Sequence, residues 1–148
     1  LQHTDIPERI RNVSLFDTRM QKSQLLEYKA IVVLEGNDVS TSLKWVLLSN
    51  SVVLAAETPT FTSWAMEELL EPWVHYVPLN PERWDVEEKM QWILDHDAEA
   101  QAIARRGSLW VRDLWFHPDA AQDDVAITEE MMRRYASHFV HDDSLSLD

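Results

Sequence analysis

The sequence contains no cysteine. That excludes a disulfide frame, a thiolate zinc site and a cysteine nucleophile. Glycine is almost missing: Gly36 and Gly107 are the only two in 148 residues, where average usage would give roughly ten. Neither a P-loop nor a G-x-G-x-x-G phosphate loop can therefore be present. Positive charge is scarce as well, with 13 Lys and Arg against 26 Asp and Glu, a net charge of −13. So acidic a chain is a poor wrapper of nucleic acid or of an anionic membrane face, and nucleic acid is not an expected partner. Long apolar runs are lacking too. Val52–Ala56 is strand-sized, far short of the ~20 residues of a membrane span, so no transmembrane segment is expected. The chain begins at Leu1 without a signal-peptide pattern, and is expected to be a piece of a larger protein.

What is present supports a folded domain. Apolar residues make up 45% of the chain, enough for a core and too many for a disordered segment. Seven tryptophans are a large aromatic content for this length.

Residues 1–24 are mixed and polar and read as a lead-in or inter-domain segment. Tyr28–Leu34 is β-branched and apolar, a buried strand. Ser40-Thr41-Ser42 can cap a helix carrying Leu43, Val46 and Leu47 to about Ser49. Ser51–Ala55 is a second strand. After the Thr58-Pro59-Thr60 turn, Phe61–Leu70 has Phe61, Trp64, Ala65 and Leu69 at helical spacing. Trp73–Leu79 is a third strand. Asp85 with Glu88 makes a capping-box pattern for a helix with Val86, Met90, Ile93 and Leu94 on its apolar face. Asp97 caps the next helix, with Ile103, Trp110, Leu114 and Trp115 inward, and His117-Pro118-Asp119 breaks it. A last helix over 124–140 carries Val125, Thr128, Met132, Tyr135 and Phe139 in one stripe. Residues 141–148 form an acidic, loose tail.

Strands apolar on both faces and alternating with helices imply a parallel sheet covered on both sides. The expected class is α/β: residues 25–140 resemble half of a nucleotide-binding domain, closed by a helical C-terminal part. Ligands of such sheets bind beyond the carboxyl ends of the strands. The turn after the first strand, Gly36, Asn37, Asp38, Ser40, Thr41 and Ser42, leads to a helix N-terminus that favours an anion such as a diphosphate. Lys44 is the only basic residue between Lys29 and Arg83, and is placed to add a positive charge. Ordinary helix capping by Ser40 or Ser42 with a solvated Lys44 is the competing reading. Glu67 or Glu68, after the second strand, can accept hydrogen bonds from ribose hydroxyls, with Trp64 and Phe61 flanking a base. An ordinary helix with solvated glutamates is the alternative. His75 is either a core histidine or a ligand to phosphate or sugar. His138 and His141 beside Asp142 and Asp143 lack a metal-ligand spacing, so no metal is expected. No Ser-His-Asp set or G-x-S-x-G elbow stands out, and the catalytic residues are not assigned.

The wording of the motifs carries further. Tyr28-Lys29, Leu34-Glu35-Gly36-Asn37-Asp38-Val39, Leu43-Lys44-Trp45 and Ser49-Asn50-Ser51-Val52-Val53 resemble glycosyl transferase family 90. Phe61…Trp64…Met66-Glu67…Leu70-Glu71-Pro72-Trp73-Val74-His75-Tyr76-Val77-Pro78-Leu79 is similar to that family's most recognisable stretch. Asp85-Val86-Glu87-Glu88-Lys89…Trp92 and Asp97-Ala98-Glu99-Ala100 fit its usual ending. The likeness covers roughly residues 25–115.

The resemblance implies the Rossmann-like C-terminal, donor-binding half of a GT-B glycosyltransferase. It implies inverting transfer of a hexosyl or pentosyl unit from a nucleotide sugar, most naturally a UDP-sugar, with no cofactor. The diphosphate would lie on Gly36–Lys44. The catalytic base would belong to an N-terminal domain that this chain lacks. Lysine at position 44 resembles the bacterial members, which act on cell-surface or lipopolysaccharide-type glycans, while other members glycosylate proteins. The expected location is the cytoplasm, with a peripheral seat at the inner membrane as one option. A reading of another class is a non-catalytic interaction module, in which Trp110, Trp115 and the 125–139 stripe form a docking surface.

Overall fold

The computed structural model describes residues 9–10, 13–14, 20–57, 60–63, 65–83 and 85–138. Arg9–Ile10 (β1) and Val13–Ser14 (β2) pair antiparallel, and Lys22–Leu25 (α1) is a single helical turn. The segment expected as a lead-in thus contains one short antiparallel strand pair and one turn of helix. The expectations for Trp64, for Phe139 and for the 141–148 tail lie outside the described residues.

The centre is a three-stranded parallel sheet, Ala30–Val32 (β3), Val52–Ala56 (β4) and Val77–Leu79 (β5), in that order. Ile31 pairs with Val53 and Leu54 with Val77. Alternation then sends Ile31, Val33 and Val53 to one face and Val52, Leu54, Val77 and Leu79 to the other. The first set packs on Val46 and Leu47 of α2 (Leu43–Leu47), with Tyr76, Leu70 and Val111. The second packs on Ile93 of α3 (Val86–Asp95) and on Ala100, Ile103 and Ala104 of α4 (Asp97–Phe116). The α/β class with covered faces is therefore observed.

Helix α4 touches both cores because it passes from one face to the other. At the crossing stands Gly107, where an added Cβ would lie 2.7 Å from the His75 carbonyl oxygen and 2.8 Å from Leu47 Cδ2. Helix α5 (Ala120–His138) has no buried residue. Val125, Met132 and Tyr135 are exposed, as are Ile127 and Met131.

Several elements differ from the sequence expectation. The first strand is shorter, because only Ala30–Val32 finds ladder partners on β4. The expected helix over 61–70 is reduced to a 3-10 turn, Glu67–Leu69. Met66 is left-handed at φ 53°, and the Glu67 carboxylate takes the Ser63 N–H that a helix would leave for its cap. The third strand loses its first half. Trp73 is left-handed at φ 64°, and Arg106 donates to the carbonyl oxygens of Val74 (2.7 Å) and Trp73 (3.4 Å). Those carbonyls are thereby committed to a turn.

Capping differs too. Asp85 precedes α3 but makes no side-chain cap. Its carboxylate accepts the Asn80 N–H and pairs with Lys89. His96, not Asp97, is the residue before α4, and Asp97 pairs with Lys29 from its first turn. Of the faces expected inward, Leu94 and Trp115 are exposed, and Trp110 and Leu114 are half-buried.

Candidate functional site

Beyond the carboxyl ends of β3 and β4 lies an apolar cleft of about 230 Å3. Val33, Leu34, Ala55 and Ala56 come from the strand ends, Leu43 from α2, and Phe61 and Tyr76 from the connecting segments. Glu35 ties the cleft's two loops together: its carboxylate accepts the N–H groups of Thr60 (3.0 Å) and Phe61 (3.3 Å). Glu35 stood in the expected turn, but its partners lie 25 and 26 residues away, and no local signal shows them.

Gly36, Asn37 and Asp38 form the exposed rim. Gly36 has no positive φ and an open surround, so its backbone does not require glycine. Asp38 accepts the Val39 N–H in a local turn. Ser40 lines the cleft, and its hydroxyl meets that of Ser42 at 2.9 Å. Neither hydroxyl caps α2, so the capping reading of Ser40 and Ser42 does not hold. Thr41 is exposed.

Lys44 is not solvated. Its side chain is 17% exposed, and its ammonium meets the Glu67 carboxylate at 2.8 Å and Ser63 Oγ at 3.3 Å. Glu67 is 3% exposed and also accepts from the Ser63 N–H at 2.7 Å and the Ser63 hydroxyl. Burial pushes the Glu67 carboxyl pKa up. The Lys44 ammonium and the Ser63 donors outweigh that effect and hold it below the ordinary value. Glu67 faces the cleft and Lys44 stands behind it. The i,i+4 spacing of Ser63 and Glu67 was a legible signal for this contact; the Lys44 link was not. Glu67 is thus part of a buried ion pair, not a solvated glutamate.

His75 is elsewhere. It sits on the Glu71–Tyr76 turn, edge-on to Trp110 with ring centres 5.4 Å apart, and does not line the cleft. Its Nδ1 accepts the Glu71 N–H at 2.9 Å. Burial lowers its pKa; the charge of Arg106 adds to that, while Glu71 opposes it.

Tyr76 closes the cleft from beneath, with its hydroxyl donating to the Glu57 carbonyl at 2.7 Å. Burial, with the nearby Glu57 charge, pushes the phenol up to about 12. The unfolded phenol ionises near 10. Stability from keeping it neutral is complete below pH 10 and is lost as pH rises toward 12. Tyr76→Phe is expected to be less stable by about 1 kcal/mol at pH 7, for the lost hydrogen bond. Between pH 10 and 12 the wild type should lose about 2–3 kcal/mol relative to the variant. Urea midpoints of both proteins at pH 7, 10 and 11.5 check the sign.

Among the described residues, no three His, Asp or Glu side chains gather as metal ligands, and no helix is long and apolar enough to cross a membrane.

A parallel sheet covered on both faces, with a cleft beyond its strand ends, is consistent with a Rossmann-like α/β domain. The chain belongs to glycosyl transferase family 90, whose model matches residues 7–141. It is 38% identical over 92 residues to the O-glucosyltransferase LpsA of Dichelobacter nodosus, covering 62% of this chain and 29% of that protein. It is 36% identical over 88 residues to human protein O-glucosyltransferase 3, covering 60% and 17%. With Danio rerio protein O-glucosyltransferase 2 the identity is 33% over 103 residues, covering 70% and 19%. The chain spans under a third of the length of these relatives. The family match extends past the 25–115 stretch that the motifs alone suggested.

Proposed function

We propose that this chain is the donor-binding part of a GT-B glycosyltransferase that transfers a glucosyl unit, with inversion, from a UDP-sugar. The observation that carries the reading is the cleft at the ends of β3 and β4 in a chain of glycosyl transferase family 90. The names of its relatives support glucose as the sugar. The acceptor is a bacterial cell-surface or lipopolysaccharide-type glycan, and the setting is the cytoplasm, at or near the inner membrane. The catalytic base belongs to an N-terminal domain outside this chain.

Within the cleft, the nucleoside moiety meets the apolar wall of Phe61, Val39 and Leu43. The diphosphate runs along the rim from Gly36 to Ser42. Lys44 supplies the positive charge that a leaving diphosphate needs; it stands behind Glu67, which faces the cleft and holds it in an ion pair, so it turns from that pair to meet the diphosphate. Titrating the chain with UDP in a calorimeter tests this. Lys44→Met is expected to weaken UDP at least tenfold at a temperature where both proteins are folded. Equal affinity removes Lys44 from the site, and a wild-type chain that ignores UDP removes the donor reading. The exposed apolar stripe of α5 favours a second role as a contact surface, which does not compete with donor binding.

A further inference from the structure

A second cavity plays no part in the donor reading. It is a groove of about 820 Å3 between the Glu71–Tyr76 turn and the C-terminal half of α4. That volume lies within the roughly 300–1,000 Å3 typical of small-molecule sites. The groove and the β3–β4 cleft share no lining residue.

Its chemistry is the reverse of the rest of the chain. Arg106, Arg112, His75 and His117 line it, against one acid, Asp113. Elsewhere acids outnumber bases, and the whole carries −13. The basic side chains are placed differently. Arg106 spends two N–H donors on the carbonyls of Trp73 and Val74, which orients its fork and leaves three donors. Arg112 is exposed and has no ion pair among the described residues. His75 takes the Glu71 N–H on Nδ1, so the neutral ring carries its proton on Nε2 and is a donor. Trp110 and the exposed Phe116 add aromatic surface.

We infer that this groove binds an anionic saccharide: a sugar chain bearing a phosphate or carboxylate. Arginine forks match the planar or tetrahedral anion. Asp113 accepts from sugar hydroxyls, which a site built for a bare anion would not want. The rings of Trp110 and Phe116 offer flat apolar faces to sugar rings. The turn that carries His75 is held from several sides: Trp73 N–H to Tyr76 O at 2.7 Å, His75 N–H to Glu71 O at 3.0 Å, and the two bonds from Arg106. A non-glycine residue at φ 64° within so bonded a turn stores strain, which accumulates where a side chain must be aimed. The preference for an anionic saccharide does not rest on the donor reading.

The test is calorimetric titration of the 148-residue chain with four probes: maltotriose, maltotriose 6-phosphate, inorganic phosphate and hexaglutamate. Maltotriose 6-phosphate is expected to bind at least tenfold more tightly than the other three. Arg112→Ala, at an exposed position, should weaken it at least fivefold and leave UDP affinity unchanged. Lys44→Met should do the opposite. Equal binding of neutral and phosphorylated trisaccharide overturns the inference, as does equal binding of inorganic phosphate. Tighter binding of hexaglutamate overturns it in favour of an acidic protein partner. If UDP fails to bind while the phosphorylated sugar binds through Arg112, the donor reading falls and the groove stands. If UDP binds through Lys44 and the phosphorylated sugar does not bind, the groove falls and the donor reading stands.

Discussion

Replacing Lys44 with methionine is expected to destabilise the chain by on the order of 3 kcal/mol at pH 7, because it strands a buried carboxylate. Glu67 is 3% exposed, and without the ammonium at 2.8 Å only the Ser63 N–H and hydroxyl remain to hold its charge. The pH dependence separates this from simple loss of packing. In the wild type the folded Glu67 pKa is depressed, so the pair's stability is present above the unfolded value near 4.3 and is lost as pH falls through the folded one. In Lys44→Met, burial is opposed only by the Ser63 and backbone donors, so the folded Glu67 pKa rises relative to the wild type. The variant therefore gains less stability than the wild type as pH rises above the carboxylate range. The gap between the proteins should be widest at pH 7 and narrow toward pH 4. Lys44→Met/Glu67→Gln should recover most of the loss at pH 7, since no charge is then buried alone. Urea midpoints at both pH values check it; a gap independent of pH would rule out the ion pair as the cause.

The second large effect is at Gly107. Alanine in a helix is ordinarily better than glycine by about 1 kcal/mol. Here its Cβ would stand 2.7 Å from the His75 carbonyl oxygen and 2.8 Å from Leu47 Cδ2. The leucine methyl can turn away, but the carbonyl belongs to a turn bonded to Arg106 and Glu71. Overpacking against fixed backbone costs typically about 1–3 kcal/mol and exceeds the propensity gain. Gly107→Ala is expected to lose about 2 kcal/mol and Gly107→Val at least about 3, read from urea midpoints at constant slope. Stability of the alanine variant equal to wild type would mean that α4 does not approach the turn this closely.

The two cases show what a sequence can and cannot display. Alternating strands and helices were legible because Ile31, Val53, Leu54 and Val77 are local apolar runs. The position of the cleft followed from the parallel sheet. Lys44 stood out for its isolation among acids, yet its partner Glu67 lies 23 residues on. The 61–70 segment has helical spacing, but Ser63 bonded to Glu67 and a left-handed Met66 win over it. Trp73–Tyr76 reads as the start of the Trp73–Leu79 strand because nothing local reveals Arg106, 32 residues from Val74, on the Val74 carbonyl. His75 was separated from Lys44 for the same reason. Side-chain to backbone bonds, local at Ser63 and long-range at Val74, redirect the chain at these points.

Helix α4 has one more consequence. Twenty residues make a rod of about 30 Å, and this rod is a wall of both hydrophobic cores, through Ile103 on one and Val111 on the other. Neither half of the sheet can shed its cover without tearing the helix that serves the other. The sheet and its helices should therefore melt as one cooperative unit, with matching calorimetric and van't Hoff enthalpies. Helix α5, which contributes to neither core, should exchange its amide hydrogens well before that transition.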